Sequence, residues 1–226
     1  MKRIWVLFVL LPLVMVMGQA QQNSGLEVFL SSGFVMPSSP MTFANYWKMQ
    51  AGGSLGVGIP LTPSITLVGS VEYYRFQLNV DGVNKGFDTK YMRDIWIFSD
   101  VSLNPSADPS SVMTASVNVR VAPSAIKGWL SPYLVAGIGM MKFSLSEISL
   151  PTTSVLSLDS ASVSFTARQR IIGGEETDVF FQSGLGFDVH FSSLVNLFLE
   201  ARYTHGFSKG LGTAYIPITA GVRMHL

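Results

Sequence analysis

No cysteine occurs anywhere in the chain. That excludes disulfide staples and membrane anchoring through a lipidated cysteine. Charge is scarce as well: 13% of residues are charged against 48% hydrophobic, and the mean hydropathy is +0.37. The 15 basic and 14 acidic residues nearly cancel, so there is no basic excess for a nucleic acid or an anionic membrane surface. Long apolar runs are missing too. Beyond Met17 no stretch approaches the roughly 18 consecutive apolar residues that a membrane helix needs. A chain that is oily on average but never oily in a row spreads its apolar residues at intervals. Strands with one face in lipid and the other toward a polar lumen do that. A soluble β-sandwich also alternates, but the apolarity of one face and the way the C-terminus ends favour a barrel.

What is present begins with an export signal. Lys2 and Arg3 precede the apolar run Trp5 to Met17, and Gly18, Gln19 and Ala20 offer a small-residue cleavage site. Residues 1–20 therefore read as a signal peptide cleaved after Ala20, and residues 21–226 as one barrel domain. That length suits about eight strands of roughly ten residues with long loops to spare.

The last segment alternates most cleanly. Ile216, Ile218, Ala220, Val222, Met224 and Leu226 share one face; Pro217, Thr219, Gly221, Arg223 and His225 share the other. Such period-two patterning marks a strand apolar on one side only. The pattern recurs in 195–203, 181–191, 114–121, 65–73, 47–61 and 26–31. Residues 132–143 also read as a strand, but Gly137 and Gly139 leave its phase open. Connections at 62–64 and 192–193 are short and 123–131 is moderate, whereas 37–46, 79–111 and 146–177 are long. Short turns at one end and long loops at the other are the asymmetry of an antiparallel up-and-down outer-membrane β-barrel. The short turns are assigned to the periplasm. Trp47, Tyr73 and Tyr203 then fall at outer strand ends and Phe191 at an inner one, as girdle aromatics would. The Ser/Thr-rich stretch 152–164 reads as a solvated outer loop. Residues 93–104 alternate weakly and are read as loop or strand extension; were 162–171 to pair similarly, the barrel would have ten strands rather than eight.

Several segments resemble a known family. Gly184-Leu-Gly-Phe-Asp-Val-His190, Phe198-Leu-Glu-Ala-Arg-Tyr-Thr-His205, Ser70-Val-Glu-Tyr-Tyr74, Pro132-Tyr-Leu-Val-Ala-Gly-Ile-Gly139 and a strand running to the last residue are similar to the outer-membrane β-barrel domain family, the OmpA-like and OmpX-like small barrels. The resemblance implies a location in the cell outer membrane, among outer-membrane lipids and lipopolysaccharide. It also implies that Val222, Met224 and Leu226 form a signal for the barrel-assembly machinery, although Leu226 stands where the family usually ends in an aromatic residue. No peptidoglycan-binding domain follows, so an anchoring role does not carry over.

The phases put Glu27, Lys48, Glu72, Arg120, Asp188, Glu200, Arg202 and Arg223 inside the barrel. Charges shielded from water need partners, and Glu27, Glu72, Arg120, Glu200, Arg202 and Arg223 are expected to form a structural polar network that plugs it. An eight-stranded barrel is just wide enough for side chains to fill. A structural or surface-interaction role through the outer loops is therefore expected, by a monomer without cofactor or metal. One alternative is a barrel that takes up a small hydrophobic molecule through a lateral gap. Another is a lipid A hydrolase using His205 as base and Ser208 as nucleophile. The H-x-x-S spacing argues against that pair, because on a strand it sends the two side chains to opposite faces. His190 and His225 show no metal-ligand spacing, and the spaced glycines precede no helix that would bind phosphate. The chain is expected not to be an enzyme.

Overall fold

The computed structural model describes residues 25–86, 98–123, 129–158, 161–207 and 212–226. The region assigned to the signal peptide, Ser208, and residues 93–97 of the weakly alternating segment lie outside them. Among the described residues there are twelve strands: β1 (Glu27–Ser39), β2 (Trp47–Lys48), β3 (Gln50–Thr62), β4 (Ile65–Leu78), β5 (Phe98–Leu103), β6 (Ser110–Val121), β7 (Leu130–Leu145), β8 (Ile148–Leu158), β9 (Ala161–Ile171), β10 (Gly174–His190), β11 (Val195–Gly206) and β12 (Ala214–His225). Two short helices join them, α1 (Met41–Tyr46) and α2 (Val80–Gly86).

Eight strands close a ring in the order β1-β3-β4-β6-β7-β10-β11-β12, all antiparallel, with β12 returning to β1. Closure leaves no edge strand with unpaired backbone groups, which a hydrocarbon environment demands. The closing ladder pairs Glu27 with His225 and Phe34 with Ile218, so first and last strands are joined along their length. The β11–β12 ladder is interrupted from Ala201↔Ile218 to Thr204↔Tyr215, beside Pro217, which has no N–H to give. Arg202 and Tyr215, both buried, occupy the interior beside that break.

Alternation fixes which side chains face out. Leu30, Leu55, Val71, Val117, Ile138, Leu185, Leu199 and Ile218 all project from the exterior and are accessible. An apolar belt around the whole circumference far exceeds the patches that soluble monomers tolerate. Tyr73 and Tyr203 lie outward toward the long-connection end, and Phe191 lies near the short turns.

Phase is also settled for β7. Tyr133, Val135, Met141 and Phe143 are buried while Leu134, Ile138 and Met140 are exposed, so Gly137 and Gly139 point inward. Their smallness has a steric purpose. A β-carbon on Gly139 would press on the Phe180 ring, and one on Gly186 of β10 would run into the Tyr133 ring. At these two positions a neighbouring strand makes room for a large ring by carrying no side chain.

The long connections are structured. β1 runs to Ser39 and α1 follows. Residues 79–111 contain α2 and β5. Within 146–177, β8 and β9 form a hairpin that pairs with β5 in a separate three-stranded sheet. The barrel therefore has eight strands, not ten, and 98–103 and 162–171 extend it outside the ring. The stretch 152–164, expected as a solvated loop, belongs in its described residues 152–158 and 161–164 to this hairpin instead, with Thr and Val as its strand-favouring residues. The single strand expected over 47–61 is also divided. Trp47 and Lys48 pair with Leu78 and Gln77 of β4, and β3 starts at Gln50. Trp47 turns into the core at 4% exposure, so it is no girdle residue. Lys48 lies outside the lumen, half exposed and 3.8 Å from Asp81. Alternation counted through Met49 misplaced both.

Candidate functional site: the filled lumen

The interior is stacked in layers, beginning at the end with the short turns. Glu27 of β1, Arg120 of β6, Asp188 of β10 and Arg223 of β12 occupy inward positions near the termini of their strands, and all are buried or nearly so. Asp188 is shared: Arg120 pairs with it, and Arg223 Nη2 lies 3.1 Å from the same oxygen. Arg223 also reaches Glu27 at 3.8 Å, and His225 Nδ1 is 3.2 Å from Glu27. The Arg120 guanidinium lies 3.5 Å from the Tyr133 ring centroid, a cation–π contact. Asn196 links this layer to the rim. Its oxygen accepts from Arg223 Nη2 at 2.7 Å and from His225 Nε2 at 3.0 Å, while its nitrogen donates to His190 Nδ1 at 3.2 Å. A mouth of about 560 Å³ opens beneath, lined by Pro60, Ser64, Ala122 and these charged groups.

Above it lies a thin apolar layer of Phe29, Val68 and Phe198, with Phe29 and Phe198 edge to face at 6.1 Å. A second polar layer follows. Arg202 Nη1 donates to Glu72 Oε1 at 2.6 Å, and Arg202 Nε lies 2.8 Å from Glu200. Tyr74 donates to the other Glu72 oxygen at 3.0 Å. Gln182 accepts from Arg202 at 3.1 Å and donates to Asn118, which donates to Ser70 and Ser116. Chains of this kind tie β4, β6, β10 and β11 together across the lumen, and in a low-dielectric interior each bond is stronger than in water.

The long-connection end is closed by rings. Tyr74, Phe76, Val112, Met141, Phe143, Phe180 and Tyr215 are fully or almost fully buried there, with Trp47 and Phe43 above them. Phe43, from α1, stands edge to face against both Phe76 and Phe143 with centroids 5.0 Å apart. Asn79 holds α1 to the neck of α2, its side chain donating to the Asn45 carbonyl at 2.9 Å. Val83 of α2 completes the cluster.

All six residues expected to form the polar network face inward, but in two groups. Glu72, Glu200 and Arg202 form one. Glu27, Arg120 and Arg223 form the other, through Asp188 rather than through Glu72 or Glu200. Tyr74, Gln182 and Asn118 belong to the second polar layer without having been singled out. Strand phase alone carried them, since each shares the inward face with a named charge. His205 faces outward, between Tyr203 at 6.3 Å in a stacked arrangement and Phe207 at 5.3 Å edge-on. It is therefore turned away from the buried carboxylates. Val222 and Met224 lie on the outward face of β12, and the Leu226 N–H donates to the Leu26 carbonyl at 2.8 Å. Among the described residues no group of three or more His, Cys, Asp or Glu side chains is arranged to hold a metal.

The fold has solved counterparts. Neisserial surface protein A aligns over 91% of this chain and 100% of its own, with a TM-score of 0.51 at 14% identity. A major outer membrane protein from Thermus thermophilus aligns over 91% and 100%, with a TM-score of 0.53 at 12% identity. This is the fold of small outer-membrane β-barrels. No family model matches the chain, and no curated protein sequence does. At such low identity the likeness speaks for the architecture alone.

Proposed function

We propose that this chain is an integral protein of the bacterial outer membrane. In this reading it acts as a monomeric, non-conducting, non-enzymatic barrel that presents a structured cap of α1, α2 and the three-stranded sheet at the cell surface. The observation that carries it is the combination of an apolar exterior with an interior filled at every level. The charged groups inside pair with one another in two layers. The short-turn end lies in the periplasm, and the partners are the surrounding lipid and lipopolysaccharide. During insertion the assembly machinery reads the last strand, with Val222, Met224 and Leu226 on its lipid side.

Two measurements on protein purified from outer-membrane fractions test this. The folded barrel should migrate differently from the boiled chain on a gel, and it should give no steady conductance steps in a planar bilayer. Recovery from the soluble periplasm would overturn the location, and stable open channels would overturn the closed lumen.

A further inference from the structure

Beneath α1, bordered by members of the ring cluster that closes the barrel, lies a cavity of about 440 Å³. Its walls include Phe43, Tyr46, Trp47, Phe143 and Ile148, and Glu176 stands among them. We propose that this cavity binds a small apolar molecule bearing an amine, such as an aromatic or aliphatic ammonium. Volume is the first argument. Well-packed interiors leave few voids larger than a water, whereas ligand pockets run from about 300 to 1,000 Å³ with mostly apolar walls and a few placed polar groups. The cavity opens to the outside where Ile172 and Glu176 are exposed, so a small molecule can enter it.

Charge decides the class. Glu176 lies on the inward phase of β10, directly opposite Phe143 in the β7–β10 register. Asp178 is the next residue in that phase. Among the described residues no lysine or arginine lines the cavity. A carboxylate beside aromatic walls attracts a cation twice, by direct pairing and through the negative faces of the rings. The same surroundings repel an anion, so a free fatty acid is the wrong guest. The proposal stands on the cavity and not on the closed lumen, and either can fail while the other holds.

The test uses the mature chain in lipid nanodiscs, with Trp96→Phe and Trp129→Phe leaving Trp47 as the fluorescent reporter. Three probes of matched shape are titrated: phenethylamine, 2-phenylethanol and phenylacetate. Phenethylamine is expected to give a saturable change and to bind about tenfold tighter than phenylacetate. Glu176→Gln, an exposed site whose substitution leaves the packing untouched, should bring the two to within about twofold of each other. Absence of any saturable change would overturn the site. Equal or tighter binding of phenylacetate, or a preference unaltered in the Gln variant, would overturn the chemical class.

Discussion

Asp188 holds two arginines, and that arrangement sets what its loss would do. Arg120 and Arg223 both direct a guanidinium at the same buried carboxylate. Removing one member of a buried pair leaves an uncompensated charge and costs about 3–5 kcal/mol, whereas replacing the whole pair with apolar side chains is often close to neutral. Asp188→Asn should therefore lower the urea midpoint in lipid vesicles by more than Asp188→Leu combined with Arg120→Met. A single variant no worse than the double would show that water reaches this layer from the mouth. Gly186 makes a second test at this scale. Gly186→Ala should destabilise, because its methyl meets the Tyr133 ring, and the same substitution should cost less in a Tyr133→Ala background, where that ring is gone. The exterior obeys the opposite logic. Ile138 projects from mid-strand, and Ile138→Arg should cost about 2–4 kcal/mol, as expected for a cation on the lipid face near the bilayer midplane. Equal stability of that variant would place Ile138 in water.

Strands were readable in the sequence wherever one face is apolar and the other is not. β4, β6, β10, β11 and β12 satisfy that condition, and period two then fixes both their existence and their inward residues. β7 does not, since glycine carries no preference for either face, and its phase shows only in the burial of Tyr133, Val135, Met141 and Phe143. Three-dimensional partners also decided the fate of the connections. Phe43, Val83, Ile148 and Leu150 look like scattered apolar residues in polar loops, yet they are buried together above the barrel. No local period announces that, because α1 spans only six residues and α2 seven. In the lumen the inward charges were legible from phase, but their pairing was not: strand height along the barrel axis, which separates Arg120 from Glu72, follows from register between strands. The cap thus belongs to the folded core. Phe43→Ala should cost about 3–5 kcal/mol, the range for truncating a buried phenylalanine, and thermal unfolding followed by gel mobility would measure it. A loss near zero would mean that α1 rests on the barrel without stabilising it.

As a whole the molecule places four barriers in series along one axis: the Asp188 layer, the Phe29–Phe198 layer, the Arg202 layer and the ring cluster beneath α1. An eight-stranded barrel leaves an interior only as wide as its side chains, and in the proposed reading each layer closes the lumen by itself. Redundancy of that kind has a consequence for conductance. Emptying the lowest layer with Arg120→Ala, Asp188→Ala and Arg223→Ala deepens the mouth but leaves three layers intact, and planar-bilayer recordings should stay silent. Emptying the uppermost layer with Phe43→Ala, Phe76→Ala and Phe143→Ala should do the same from the other side. A steady channel from either triple variant would show that the remaining layers do not close the barrel independently, and the lumen would then have to be regarded as gated from one end. Silence in both, together with an unchanged heat-dependent gel shift, would separate the two roles that the sequence interleaves residue by residue: an exterior fitted to lipid and an interior that keeps solute from crossing it.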